Sequence, residues 1–242
     1  MTAQAFGDQH TRKKLETVEK YLGAFTTALK KLDFELLYID ACAGSGSSIP
    51  KSAVAYRQAD NCQTGLLQDS EPVVDTDQII VGSAIRALGV KPAFDRYLFN
   101  DVKQSNVQAL RKRVTEDFPH LADRVKITQF DANAMLSHIC NRTDWRSTRA
   151  VVFLDPFGLQ IRFETLQKLA RTKAIDLWYL VPVFAMYRQV RGDGGVLADG
   201  GKSVDDALGT TDWREVVAIE EKGQINLFGE AENVSRRAVD IA

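Results

Sequence analysis

Four short apolar runs in this chain each meet an aspartate at their end, and that recurrence restricts the fold more than any other feature of the sequence. Glu35–Asp40 (ELLYID) ends on Asp40, Arg96–Asn100 (RYLFN) meets Asp101, 125–130 (VKITQF) meets Asp131, and 150–154 (AVVFL) meets Asp155. Runs of this length, rich in aliphatic and aromatic residues, predict strands buried in a parallel sheet. Helical spacings separate them, at about 104–118, where Pro119 ends the pattern, at 133–140 and at 163–171. Residues 175–183 predict a last strong strand, in which Trp178 and Tyr179 alternate between faces. Leu15, Val18, Leu22, Phe25 and Leu29 predict an amphipathic helix over about 11–32 ahead of the first strand, and 82–89 reads as a short helix closed by Gly89. Strands alternating with helices predict an α/β fold with a doubly wound, mostly parallel, Rossmann-like sheet.

In such a sheet the carboxyl ends of the strands form one edge, where ligands bind at the point at which strand order reverses. Asp40, Asp101, Asp131 and Asp155 are therefore expected to converge there. One strand-terminal Asp is ordinarily a helix cap, but here four recur, and the first opens a glycine-rich turn, Ala41-Cys42-Ala43-Gly44-Ser45-Gly46. Three cofactors are compatible with a turn of this kind. A dinucleotide fingerprint wants glycine where Ile49 stands. A phosphate-binding loop is hinted at by Lys51-Ser52, yet Pro50 removes a backbone N–H that such a loop needs. Methyl-donor binding fits best. Asp40 meets the ammonium of S-adenosylmethionine through the turn of Cys42, Ala43, Gly44 and Gly46, Asp101 accepts from the ribose hydroxyls, and Asp131 with the Ala132 backbone recognises adenine.

At 242 residues one α/β domain spanning 1–242 is expected. Residues 47–78 are polar and carry Pro50 and Pro72, which suggests an inserted loop or lid; beyond 184 the pattern weakens, with 215–227 as a further strand or helix. No apolar stretch approaches the roughly 20 residues of a membrane span, and residues 1–10 lack the pattern of a secretory signal. Cys42, Cys62 and Cys140 are an odd number at unrelated spacings, which suits neither disulfides nor zinc and suits the cytoplasm. His10, His120 and His138 are widely separated, so no metal site is expected. The net charge of −1 excludes a global electrostatic attraction to nucleic acid. Basic groups at Arg111-Lys112-Arg113 and at Arg142, Arg146 and Arg149 are local candidates for phosphate contact, weighed against solvated helix faces.

Residues 40–46 resemble motif I of class I methyltransferases, in a form found in enzymes that methylate guanine N2 of ribosomal RNA. Asp155-Pro156-Phe157-Gly158 resembles the fourth motif of that superfamily, in the form found in tRNA guanine N2 dimethyltransferases. Taken with 11–22, 82–83 and 176–182, these segments look like the three-Cys-motif partner proteins (TcmP), a bacterial methyltransferase-like family. The cysteines of that name belong to the partner, and Cys42, Cys62 and Cys140 gain no role from it. The resemblance implies S-adenosylmethionine as cofactor, with Lys14 neutralising its carboxylate. It also implies that Asp155 and the Pro156 carbonyl orient an exocyclic amine of an RNA or DNA base, while Phe157 stacks on the ring. A core position for Phe157, in a plain strand-to-helix turn, is the competing reading. Two functions follow: an active methyltransferase, or a methyltransferase-like subunit that binds nucleic acid or a three-Cys-motif partner without turnover.

Overall fold

β1 (Glu35–Asp40) is buried along nearly its whole length, from Leu36 to Asp40, as a strand flanked on both sides and covered on both faces must be. It pairs in parallel with β2 (Arg96–Asn100) on one side, while β3 (Val125–Thr128) pairs in parallel with β2 in turn. On its other side lies β4 (Thr148–Leu154), also parallel to β1, and β5 (Ile175–Tyr179) completes the order β3-β2-β1-β4-β5. The chain reverses direction across the sheet between β1 and β4, the switch point of a Rossmann-like α/β fold. The computed structural model describes residues 3–48, 54–56, 72–74, 80–189, 198–217, 224–225 and 231–232. Its chain groups into two compact units.

The first unit comprises Met1–Asp131, Thr143–Leu154 and Ala174–Trp178 and contains the sheet up to Trp178 of β5. Its helices are α1 (Ala3–Leu29), α2 (Ser83–Gly89) and α3 (Gln104–Asp117). Tyr38, Tyr97 and Phe99 from β1 and β2 form an aromatic core with Phe94, on which Phe25 of α1 stacks with ring centroids 5.9 Å apart. Arg86 of α2 pairs with Glu19 of α1 at 2.7 Å, and α3 buries Val107, Leu110 and Val114, the i, i+3, i+7 stripe of an amphipathic helix.

The second unit comprises Ala132–Arg142, Asp155–Lys173 and Tyr179–Ala242. Its helices are α4 (Ala132–Arg142), α5 (Phe163–Arg171), α6 (Val183–Tyr187), α7 (Ala198–Leu208) and α8 (Trp213–Val217). α5 packs on α4 and on α7. Asp205 of α7 accepts from the Trp213 indole at 2.8 Å and from Arg214 at 2.6 Å, which ties α8 down.

Several expected elements have other bounds, three of them by more than two residues or for a visible reason. The first helix runs from Ala3 to Leu29, because the chain turns at 30–34 so that Glu35 can enter register opposite Thr148. The strand expected over 125–130 stops at Thr128, where the Asn100 side chain takes both backbone groups of Phe130 and draws the chain out of the ladder. The strand expected over 175–183 stops at Tyr179: Pro182 supplies no N–H to a ladder and caps α6 instead. β5 is an outer strand whose Asp176 and Leu177 are exposed, so its apolar composition overstated its burial. Most of the expected lid over 47–78, with Ile49, Pro50, Lys51, Ser52 and Cys62, lies outside the described residues, as do 218–223 and 226–227. What is described there is antiparallel: Ser47–Ser48 with Ile80–Val81, and Val54–Tyr56 with Pro72–Val74.

Tyr21 of α1 donates its hydroxyl to the Asp176 carboxylate of β5. Burial, then that bond and the carboxylate's charge, push its pKa up to about 12. A tyrosine that holds its proton more tightly when folded contributes stability fully below about pH 10, the ordinary value, and loses it as pH rises through 12. Urea midpoints measured at pH 8, 10.5 and 11.5 should therefore fall for the wild type, and the fall should be smaller in Tyr21→Phe.

Candidate functional site

The turn that follows β1 is held from both sides. Ala41 N donates to the Phe153 carbonyl of β4 at 3.3 Å and Ala43 N to the Asn100 carbonyl of β2 at 2.9 Å. Gly44 and Gly46 have φ of 61° and 83°, the left-handed region that side chains avoid. The two glycines face different surroundings. A Cβ on Gly46 would stand 3.0 Å from Ile85 and from Leu110, whereas a Cβ on Gly44 would meet nothing within 4 Å. Gly46 is therefore where α2 and α3 close on the turn, and Gly44 is where a ligand can approach its backbone.

Two carboxylates brace this turn from beneath. Asp40 is fully buried (0% exposed); it accepts from Cys42 N at 3.3 Å and from the Ser83 hydroxyl of α2 at 2.5 Å. Asp101, 8% exposed, accepts from Gly44 N at 3.0 Å with one oxygen. Its other oxygen accepts from Lys103 N at 2.8 Å and the Asn106 amide at 3.0 Å. Three of the roughly four acceptor positions of a carboxylate are thus engaged. Asp101 has room for one further donor, where the sequence suggested both ribose hydroxyls. The negative charge is felt nearby: burial, then Asp40, raises the pKa of Tyr38 well above the ordinary tyrosine value.

Asn100, the last residue of β2, completes the edge. Its amide donates to the Ala41 carbonyl at 3.2 Å and the Phe130 carbonyl at 3.0 Å. Its oxygen accepts from the Thr128 hydroxyl at 2.9 Å and from Phe130 N at 3.0 Å. One buried amide thereby joins the turn after β1 to the loop after β3. Sequence reasoning passed over it, although a polar residue closing an apolar run beside Asp101 is a visible signal. It also gave Ser83 no role at Asp40 and read Arg113 only as part of a basic patch. Arg113 donates to the Gly46 carbonyl at 2.9 Å, and Arg111 to the Ile127 carbonyl at 3.1 Å. Those two arginines are structural braces, which displaces the phosphate-contact reading of that basic patch; Arg149 likewise donates to Trp145 and Thr148 carbonyls and lies 4.0 Å over the Phe34 ring.

The remaining expected site residues are distributed as follows. Cys42 is half-buried and in no disulfide, and Ala43 is buried, both within the turn. Lys14 is exposed on α1. Asp131 is exposed and stands three residues beyond β3 rather than at its end. Ala132 opens α4 of the second unit.

Asp155, Pro156 and Phe157 also belong to the second unit, in the loop 155–162. Pro156 and Ile161 are buried, while Asp155 is exposed and Phe157 is 84% exposed, which overturns a core position for Phe157. The loop is anchored by Asn133 of α4. Its amide donates to the Gln160 carbonyl at 2.8 Å, and its oxygen accepts from Arg162 N at 2.9 Å and the Thr165 hydroxyl at 2.8 Å. Among the described residues, no group of three or more His, Cys, Asp or Glu is placed to hold a metal, and no helix is long and apolar enough to cross a membrane.

No family model and no curated protein matches the chain. Among solved structures, a Legionella pneumophila (strain Philadelphia 1) protein of family model DUF519 is 16% identical over 65% of this chain, with a TM-score of 0.38. The chain covers 59% of that protein's length. A conserved hypothetical protein of Streptococcus pyogenes is 15% identical, covering 64% of this chain and 69% of its own, with a TM-score of 0.34.

Removing the Asn100 amide leaves the Ala41 and Phe130 backbone groups to find water at a buried edge. Asn100→Ala should lower unfolding free energy by about 2 kcal/mol, within the range for orphaned buried polar groups. Urea denaturation measures it; an unchanged midpoint would show that the edge does not depend on this amide.

Proposed function

We propose that this chain is a class I S-adenosylmethionine-dependent methyltransferase acting on an exocyclic amine of a nucleic-acid base. The observation that carries the reading is the charge of the glycine turn. Two carboxylates, Asp40 and Asp101, support it from within, next to the open space at Gly44. A turn backed by buried negative charge repels a diphosphate and favours a cationic ligand. S-adenosylmethionine is cationic, with its ammonium and sulfonium, and carries ribose and adenine for the rest of the edge.

The departure from a dinucleotide-binding turn supports the same reading. There the glycines open directly into a helix whose N-terminus receives the diphosphate. Here Ser47–Ser48 leave the turn antiparallel to Ile80–Val81, and α2 begins only at Ser83, whose hydroxyl is bonded to Asp40.

The residues fit the cofactor in the following roles. The turn from Cys42 to Gly46 lies against the methionyl part, with Asp40 supplying the opposing charge. Asp101 takes one ribose hydroxyl, and Asp131 with Ala132 recognises adenine. Lys14 neutralises the cofactor carboxylate through its charge. When bound, the cofactor supplies an electrophilic methyl group. The chain's own task is alignment: Asp155 and the Pro156 carbonyl accept hydrogen bonds from the amine and orient its lone pair for transfer. No strong base is needed, because the amine loses its proton after alkylation. Exposed Phe157 supplies a stacking face for an extruded base.

Within the superfamily, the finer assignment we favour is the TcmP family, with a three-Cys-motif protein as partner. Its support is the combination of segments named above. Cys42 and Cys140, neither in a disulfide, suit a cytoplasmic setting.

Calorimetric titration with S-adenosylhomocysteine, beside NADH and ATP, tests the cofactor site. S-adenosylhomocysteine alone should bind, and Gly44→Ala should weaken it about tenfold or more by placing a methyl group where the ligand approaches. Binding of NADH or ATP instead would overturn the reading. Asp155→Ala should retain S-adenosylhomocysteine binding yet lose methyl transfer to RNA or DNA by about a hundredfold or more; unchanged transfer would remove Asp155 from the mechanism.

A further inference from the structure

Asp101 meets its donors unevenly. Its Oδ1 accepts from Lys103 N at 2.8 Å and from the Asn106 amide at 3.0 Å, whereas among the described residues its Oδ2 accepts from Gly44 N only, at 3.0 Å. A carboxylate has roughly two acceptor positions on each oxygen. Oδ1 is therefore filled, and the position that remains belongs to Oδ2. That oxygen is the one bonded to Gly44, where an added Cβ would meet nothing within 4 Å. The remaining acceptor of a buried carboxylate thus adjoins the open space of the glycine turn.

Asn106 is the side chain that closes Oδ1, and its place is fixed. It lies in the first turn of α3, next to buried Val107, whose N–H donates to the Lys103 carbonyl at 3.2 Å. The helix is clamped to the glycine turn further along. Arg113 donates to the Gly46 carbonyl at 2.9 Å, and a Cβ on Gly46 would stand 3.0 Å from Leu110, which α3 buries. A shift of α3 that withdrew Asn106 from Asp101 would break these contacts. Lys103 N is a backbone group that almost any residue supplies at the entry to a helix. Asn106 is a choice of side chain, and a residue without a donor there would leave Oδ1 one position for a ligand.

We propose that Asn106 restricts Asp101 to a single hydroxyl of the cofactor's ribose, the 3′-hydroxyl, so that the site tolerates loss of the 2′-hydroxyl. The proposal rests on the functional reading above for the identity of the ligand, in which the glycine turn lies against the methionyl part. The sulfur is carried on C5′, and C3′ is nearer to it along the sugar than C2′, which adjoins the carbon bearing adenine. The 3′-hydroxyl is therefore on the side of the turn, and Oδ2 is the oxygen bonded to that turn. Asn106 is a positioning residue, acting through Asp101 and not on the ligand.

Calorimetric titration of the full chain with S-adenosylhomocysteine and with its 2′-deoxy and 3′-deoxy analogues tests this. Wild type should bind the 2′-deoxy analogue within about twofold of the parent and the 3′-deoxy analogue about tenfold or more weakly, the loss expected for one hydrogen bond to a charged acceptor. Asn106→Ala, which frees a position on Oδ1, should make the 2′-hydroxyl count, so that in this variant the 2′-deoxy analogue falls about fivefold or more behind the parent. A substitution that merely loosened the turn would weaken all three ligands alike; ratios unchanged from wild type would overturn the assignment to Asn106. In wild type, equal loss from both analogues, loss from the 2′-deoxy analogue alone, or loss from neither overturns the proposal and leaves the methyltransferase reading intact. Failure of the parent ligand to bind removes that reading and the proposal together.

Discussion

The carboxylate of Asp101 ties the turn after β1 to the start of α3. It receives Gly44 N from the turn after β1 and Lys103 N at the start of α3, so the entry to one helix and the open point of the glycine turn are fixed by the same group. Asn100, one position earlier, faces the other way in the alternation of a strand and joins Ala41 to Phe130. Two consecutive polar residues at the end of β2 thereby connect the loops after β1, β2 and β3. Their geometry depends on parallel register, because only strands ending level bring these three loops within reach of two side chains.

Such an edge has an electrostatic consequence. Asp101 is buried, and the donors it meets are two backbone N–H groups and an amide, none of which carries a charge; Asp40, also buried, accepts from Cys42 N and the Ser83 hydroxyl among its contacts. Neutral donors soften the cost of burying a carboxylate without cancelling its charge. The carboxylate of Asp101 thus stands behind the turn with neutral donors only, where a nucleotide-binding fold ordinarily offers the N-terminus of a helix. A fold shared by many functions takes its chemistry from such local differences.

Much of this was legible from sequence. Apolar runs placed β1, β2 and β4 within two residues of their observed ends, and the glycine turn was located by composition because left-handed φ at Gly44 and Gly46 admits little else. Where the reading failed, a long-range contact or a single proline had overridden local pattern. VKITQF reads as six residues of strand, but Asn100 captures Phe130 from thirty positions away. The apolar run through 183 reads as strand, yet Pro182 converts its end into α6. Arg111 and Arg113 looked like a basic patch because a sequence does not show which carbonyls their guanidinium groups will find. Asn133 is the clearest case. Nothing in α4's own composition marks one asparagine as the anchor for a loop that follows more than twenty residues later.

Asn100 and Asn133 solve the same physical problem in the two units, and the choice of residue is informative. Each must satisfy carbonyl oxygens and donors at once in a place closed to water. A carboxylate would repel the carbonyls, an ammonium would leave the N–H groups unanswered, and a hydroxyl is too short to span both. The carboxamide alone offers fixed donors and an acceptor on one planar group. Placing it on a strand end and on a helix, where the backbone is already determined, lets it impose conformation on loops that lack regular hydrogen bonding of their own. The exposed groups on those loops, Asp155 and Phe157 among them, then stand in water without being free to collapse inward, because their neighbours Pro156, Gln160 and Arg162 are committed.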